Sequence, residues 1–449
     1  MASTRSRLAV AGATAVVFSG LGTISNLAAA DLDQWEPAQV VDQSNRGYTP
    51  ALFSTQRGRA VAVYRADGAV WASSRPSGAG IPWAQPHRLR VPLNTSVGPV
   101  ATGRGGGATI FLGGWAYTHM NAAGDWGDVR TFPYQQFDPS RALVTPDSAL
   151  VTAGATYRAV KVAFKPPNGP WMLSPRLYLG YYTALRGLWY DRDGRVHVLV
   201  TQDQDIDTRS SGRDGAASTT YPSGLYEAVL HQRNGALAWG PLRQWRTGMV
   251  GDLNDIYSFH SKVLSTADGA ITVLWHEYDN AQDRLIQLMR HRDAAGNWSP
   301  VRRMRVNGLS QVVSSLDDSG TTRLSYLRRG TGSDSRELVT RELSAGGTLT
   351  APTVVDGPVT SDGFGLYGVS TPGGATLLRW YVNTSAGTEQ RLYRCLPGGD
   401  CTGVGTLSVP ADPAMAVTPN GAALIAGAAD AVEGCPPERL CSRRLPPPS

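Results

Sequence analysis

The sequence predicts an all-β protein, a β-propeller of about eight four-stranded blades whose ring is closed by its own N-terminal strand. Three observations predict it. A tryptophan-led β-segment recurs along the chain, a glycine- or serine-ended turn followed by an apolar run recurs between those segments, and the first segment has no partner strands before it.

The tryptophan marker stands at Trp35, Trp83, Trp126, Trp171, Trp239 and Trp298, with a weaker Leu349, at spacings of 43 to 68 residues. Tryptophans repeated in this way are expected to pack between blades. The second marker begins at Gly58, Gly107, Ser148, Gly194, Gly269, Gly320, Gly374 and Gly421, and each opens a short apolar run such as Val196-His-Val-Leu-Val200. Each unit therefore reads as a meander: strand a, the turn, strand b, a more polar strand c, a hairpin such as Asn121-Ala-Ala-Gly124-Asp, and strand d. A lone sheet of this kind leaves both faces unburied; stacking around an axis covers them. The segment Trp35 to Val41 is a strand d without a, b or c, and 413–445 supplies a, b and c without d. Joining the two completes an eighth blade; seven blades result if the last unit is only a cap.

Bulk properties fit this reading. The chain has 449 residues with 51 glycines and 29 prolines, suited to many turns and few long helices. Residues 1–30 read as a signal peptide: Arg5 and Arg7, an apolar stretch from Leu8 to Leu21, and Ala28-Ala29-Ala30 at the expected cleavage point. The propeller domain is then 31–445 and the Pro-rich tail 446–449, and a secreted, extracellular monomer without a membrane span is expected. Removal of 1–30 lowers the formal charge from +6 to +4. Basic residues are scattered and no nucleic-acid motif occurs, so nucleic acid is not an expected partner. Four cysteines sit near the C-terminus as Cys395/Cys401 and Cys435/Cys441, and two local disulfides are the expected pairing.

Candidate chemistry follows from unequal loops. The largest insertion, 201–224, holds Asp203, Asp205 and Asp207, whose closely spaced oxygens suit a structural calcium ion. Beside it lie Asp255 and an inner strand with His260 and Lys262 on one face. The fifth unit's b–c loop is read as Trp275 to Asp279, with His276, Glu277 and Tyr278. One reading makes His260, Lys262, His276, Glu277 and Asp255 a catalytic cluster acting on a polysaccharide as acid and base; another makes the region a non-catalytic polar surface. Trp115 and Tyr117, where the second unit's b–c loop emerges, together with Tyr278, are candidate sugar-stacking aromatics. No cofactor is expected beyond that calcium.

The repeat resembles the sialidase-like and lectin-like superfamilies of secreted bacterial propellers over nearly the whole mature chain, with Asp293-Ala-Ala-Gly296-Asn-Trp298 as an echo of the sialidase Asp-box. The Arg-Ile-Pro signature of that family is absent, and no arginine triad or nucleophile pair is matched. The favoured expectation is a secreted binding or interaction propeller for a glycan or cell-envelope component. The alternatives are a glycoside hydrolase or polysaccharide lyase, and a scaffold for protein partners.

Overall fold

In the computed structural model the described residues are 34–448 apart from 44–49, 93–94, 135–136, 157–158, 180–182, 203–223, 234, 248–261, 267, 280–283, 306–311, 331–334, 361–364, 385–386, 408–412, 428–431, 433 and 437–438. They form eight antiparallel sheets in a ring. Blades 1 to 7 occupy 51–89, 97–131, 141–178, 183–247, 262–305, 313–360 and 366–407. Blade 8 is built from Ala414–Val417, Ala423–Gly427 and Leu440–Leu445, with Gln39–Asp42 as its outer strand. In blades 3 and 4 the outer strand is broken into two pieces that pair with the same strand c. The predicted residues 1–30 lie outside the described residues.

The repeated turn has one geometry in all eight blades. The last residue before it donates its N–H to the carbonyl four residues on, as Thr55 does to Arg59 and Thr418 to Ala422. Its fourth position adopts positive φ in every case: Gly58, Gly106, Ser148, Gly194, Gly269, Gly320, Gly374 and Gly421. That left-handed conformation costs glycine nothing, which explains the marker in the sequence. In blade 2 the position is Gly106, one residue before the expected Gly107.

Eight apolar clusters make the core, and each straddles one joint between neighbouring blades. The marker tryptophans serve these joints by reaching back to the preceding blade. Trp35 Nε1 donates to Val404 O at 2.7 Å, Trp83 Nε1 to Ser442 Oγ at 2.7 Å and Trp239 Nε1 to Pro175 O at 2.8 Å. Trp171 meets Phe111 and Phe132 edge-on, and Trp298 meets Trp245 edge-on.

Closure is a built joint. Gln39 pairs with Ser442 and Val40 with Cys441, so the chain's two ends share one sheet. Glu36 accepts from Arg75 Nη2 of blade 1 and Arg444 Nη1 of blade 8, both at 2.6 Å. Both cysteine pairs are disulfides, Cys395–Cys401 across the blade 7 hairpin and Cys435–Cys441 into the third strand of blade 8.

Candidate functional site

A cationic pocket on the axis. The inner strands of blades 3, 4 and 5 each send a cation toward the axis: Arg141, Arg186 and Lys262. Arg186 owes its position to a β-bulge. Leu185 pairs with Val200 and Gly187 with Leu199, so Arg186 is the extra residue, turned out of the ladder. Gly187 next to it lets blade 5 come close, because a Cβ there would lie 2.2 Å from Val263 Cγ2. The three cations, His276, Gln287 and Ser314 surround a cavity of about 440 Å³. No carboxylate lines it among the described residues.

Each cation is held in place. Lys262 Nζ donates to Ser314 O of blade 6 at 2.9 Å, Arg186 Nε to Thr201 Oγ1 at 2.9 Å, and Arg141 Nη1 to Ser140 O at 2.9 Å. The Lys262 side chain is open to solvent in part, while its ammonium is packed against protein at Ser314. Lost hydration pulls its pKa down to about 8. It remains an ammonium at neutral pH and lies within reach of deprotonation just above it.

The expected loop at 275–279 is strand. Ile271–Asp279 runs nine residues in unbroken register with Arg284–Arg292, and His276 sits opposite Gln287. Continued cross-strand pairing past Trp275 makes this a long arm of blade 5, which carries Glu277 and Tyr278 as strand residues. Of the expected catalytic cluster, the structure brings Lys262 and His276 to one pocket. His260, Asp255, Asp203, Asp205 and Asp207 lie outside the described residues. Among the described residues no group of three or more His, Cys, Asp or Glu side chains is arranged to hold a metal ion, and no helix is long and apolar enough to cross a membrane.

Trp115 ends the b–c turn of blade 2 and is half-buried against the joint with blade 1. Tyr117 follows in strand c and is buried at the joint with blade 3, its ring 5.6 Å from that of Trp171. The Asp293 echo is a self-contained hairpin turn: Asn297 N–H and Nδ2 both donate to the Asp293 carboxylate, at 2.7 and 3.0 Å.

One polar cluster escapes sequence reasoning. His197 is buried in blade 4, with Nδ1 at 2.8 Å from Glu227 Oε1 and Nε2 at 3.1 Å from Asp191 Oδ2. Trp189 stacks on its ring at 5.1 Å, and Trp245 Nε1 donates to Glu227 Oε2. Burial opposes the imidazolium, but the two carboxylates outweigh it and raise the pKa of His197. Burial likewise opposes ionised Asp191 and Glu227, and their hydrogen bonds outweigh it, so both are lowered. The group makes a buried ionic tie within blade 4. The alternation Asp191, Arg195, His197 was its only local sequence sign.

No family model and no curated protein matches the chain. Solved structures match at low identity. The Dos1 propeller is 8% identical with a TM-score of 0.49, over 92% of this chain and 95% of that one. The polysaccharide lyase Uly1 is 10% identical with a TM-score of 0.41, over 91% and 98%. A PL25 ulvan lyase bound to -[GlcA(1-4)Rha3S]- is 10% identical with a TM-score of 0.42, over 90% and 95%. The likeness is one of fold and carries nothing about activity.

Proposed function

We propose that the chain is an exported propeller that binds an acidic glycan or acidic envelope polymer at its axial pocket. One observation carries this: three consecutive inner strands converge Arg141, Arg186 and Lys262 on one cavity without a carboxylate among its described lining residues. Guanidinium groups pair with carboxylate or sulfate through two parallel hydrogen bonds, and an ammonium adds a point charge. Export is supported by the Arg5/Arg7 and Ala28–Ala30 pattern and by the two disulfides, which persist in oxidising compartments. The test is binding of uronate- or sulfate-bearing oligosaccharides against neutral ones, with Arg186→Ala combined with Lys262→Ala. The expected loss is on the order of a hundredfold, with a shallower salt dependence. Equal binding of neutral and acidic oligosaccharides by the parent protein would overturn the assignment.

A second reading, polysaccharide lyase, is favoured by the depressed pKa of Lys262 in the pocket that also holds His276. In such a reaction an arginine neutralises the uronate carboxylate, a neutral base removes the adjacent proton, and the glycosidic oxygen leaves with a proton as a carbon–carbon double bond forms. Ultraviolet absorbance of the unsaturated product reads it directly. Product formation that disappears in Lys262→Met or His276→Ala makes the pocket catalytic, and no product from any bound uronate leaves it a binding site.

A further inference from the structure

A second site between blades 2 and 3. At the end of the ring that carries the a–b turns, four of the eight joints are tied by a polar side chain crossing to the next blade. Arg323 of blade 6 donates to Leu396 O and Gly399 O of blade 7. Arg394 of blade 7 donates to Pro446 O, and Arg59 of blade 1 to Ala122 O of blade 2. In blade 5, Thr272 Oγ1 bonds His291 Nδ1 at 2.9 Å and meets Thr322 Oγ1 of blade 6 at 2.6 Å.

Blade 2 repeats the last arrangement and then departs from it. His119 stands two residues before its hairpin, as His291 does, and its Nδ1 takes the same kind of bond, 3.1 Å from Thr109 Oγ1. His291 is 1% exposed beneath the blade 6 turn at Gly320. His119 is exposed, and its Nε2 has no partner among the described residues. Blade 3 leaves the joint open as a groove of about 710 Å³, walled by Tyr117, Trp126, Arg130, Lys165 and the turn from Gly103 to Gly107.

We propose that this groove is a ligand site for a neutral sugar unit. Where His291 occupies the equivalent position in blade 5 the space is covered by the blade 6 turn, whereas here it is open as a groove lined by polar and aromatic groups. Its charges balance: Arg130 and Lys165 face Asp125 and Asp128, in contrast to the axial pocket. Trp126, half-buried and packed in part toward the joint with blade 1, also lines the groove, and His119 Nε2 supplies a hydrogen-bonding group, a mix that suits sugar C–H faces and hydroxyls. Partial loss of hydration and the nearby Arg130 hold His119 below its usual pKa, which favours the neutral imidazole. The groove opens at the a–b end of the ring, whereas Arg141 and Lys262 begin their inner strands at the other end. The two sites are therefore separable.

The test titrates the purified chain with methyl glycosides of neutral hexoses, followed by calorimetry and saturation-transfer NMR. At least one glycoside is expected to bind, and Trp126→Ala is expected to weaken it roughly tenfold. Trp126→Phe is expected to retain most binding, and His119→Ala to lose several-fold with an unchanged melting temperature, which separates binding from folding. Arg186→Ala and Lys262→Ala are expected to leave this binding intact. Failure of every hexoside to bind, survival of binding in both groove variants, or its loss in the axial variants would each overturn the site.

Discussion

Replacing Glu36 by alanine tests the closure of the ring at its chemical centre. The Glu36 carboxylate bridges two arginines that come from opposite sides of the closing joint, with Arg75 1% and Arg444 5% exposed. Its removal strands two like charges in a buried setting. Arg75 keeps its bond from Nε to Ile81 O, but nothing compensates its charge within that triad. Breaking a buried pair by deleting one partner costs about 3–5 kcal/mol. With an unfolding entropy of roughly 2.1 cal/mol/K per residue over about 400 residues, the melting temperature falls by about 4–6 °C. Urea unfolding by circular dichroism measures the loss, with Glu36→Gln as the milder companion because it keeps one acceptor oxygen. Although burial opposes its ionisation, the two arginines hold the Glu36 pKa below the ordinary value. A depressed carboxylate contributes fully above its unfolded pKa, and the contribution is lost as pH falls through the folded value. The gap between parent and Glu36→Gln should therefore narrow in acid. A Glu36→Ala midpoint indistinguishable from the parent at pH 7 would refute the view that this triad locks the ring.

Three further outcomes are expected. His197→Gln should cost most between about pH 4.5 and 6.5, where the unfolded histidine and carboxylates carry the same charges as the folded ones; the advantage of the parent shrinks as pH rises through the raised His197 value and as it falls through the lowered Asp191 and Glu227 values, which urea midpoints across pH would show. Gly187→Ala drives a methyl to 2.2 Å from Val263 Cγ2 and should cost about 1–3 kcal/mol while weakening any ligand of the axial pocket, read by melting and binding together. Cys395→Ser with Cys401→Ser opens a link of sequence separation 6 and should cost about 2 kcal/mol, seen as a lower urea midpoint in the absence of reductant.

Much of the ring was legible because its devices are local and repeated. A left-handed position in each a–b turn demands glycine, with Ser148 as the single exception, so the turn leaves a mark at each repeat. The closing strand was legible because Trp35 heads an outer-strand pattern with nothing before it to pair with. The axial pocket was only partly legible. Lys262 stood out as a polar residue sharing an inner-strand face with His260, but Arg186 is one arginine among many, and only the shifted pairing of Leu185 and Gly187 turns it toward the axis. His276 was placed in a loop because a polar run after Trp275 looks like a strand's end, and the cross-strand partners that prolong the strand are remote in the reading of one segment.

By itself the sequence determined the propeller class, the turn chemistry and the closing strand, because each depends on residues near one another or on a pattern that recurs, while eight blades over seven and the two local disulfides were expectations that the structure decided. Tertiary structure alone decided which charges meet at the axis, that His197 is gripped by carboxylates on two sides, and that the a–b end of the joint after blade 2 stays open as a groove. Those outcomes depend on how neighbouring sheets approach, and an approach set by a missing Cβ at Gly187 or an uncovering turn beside His119 has no periodic trace along the chain.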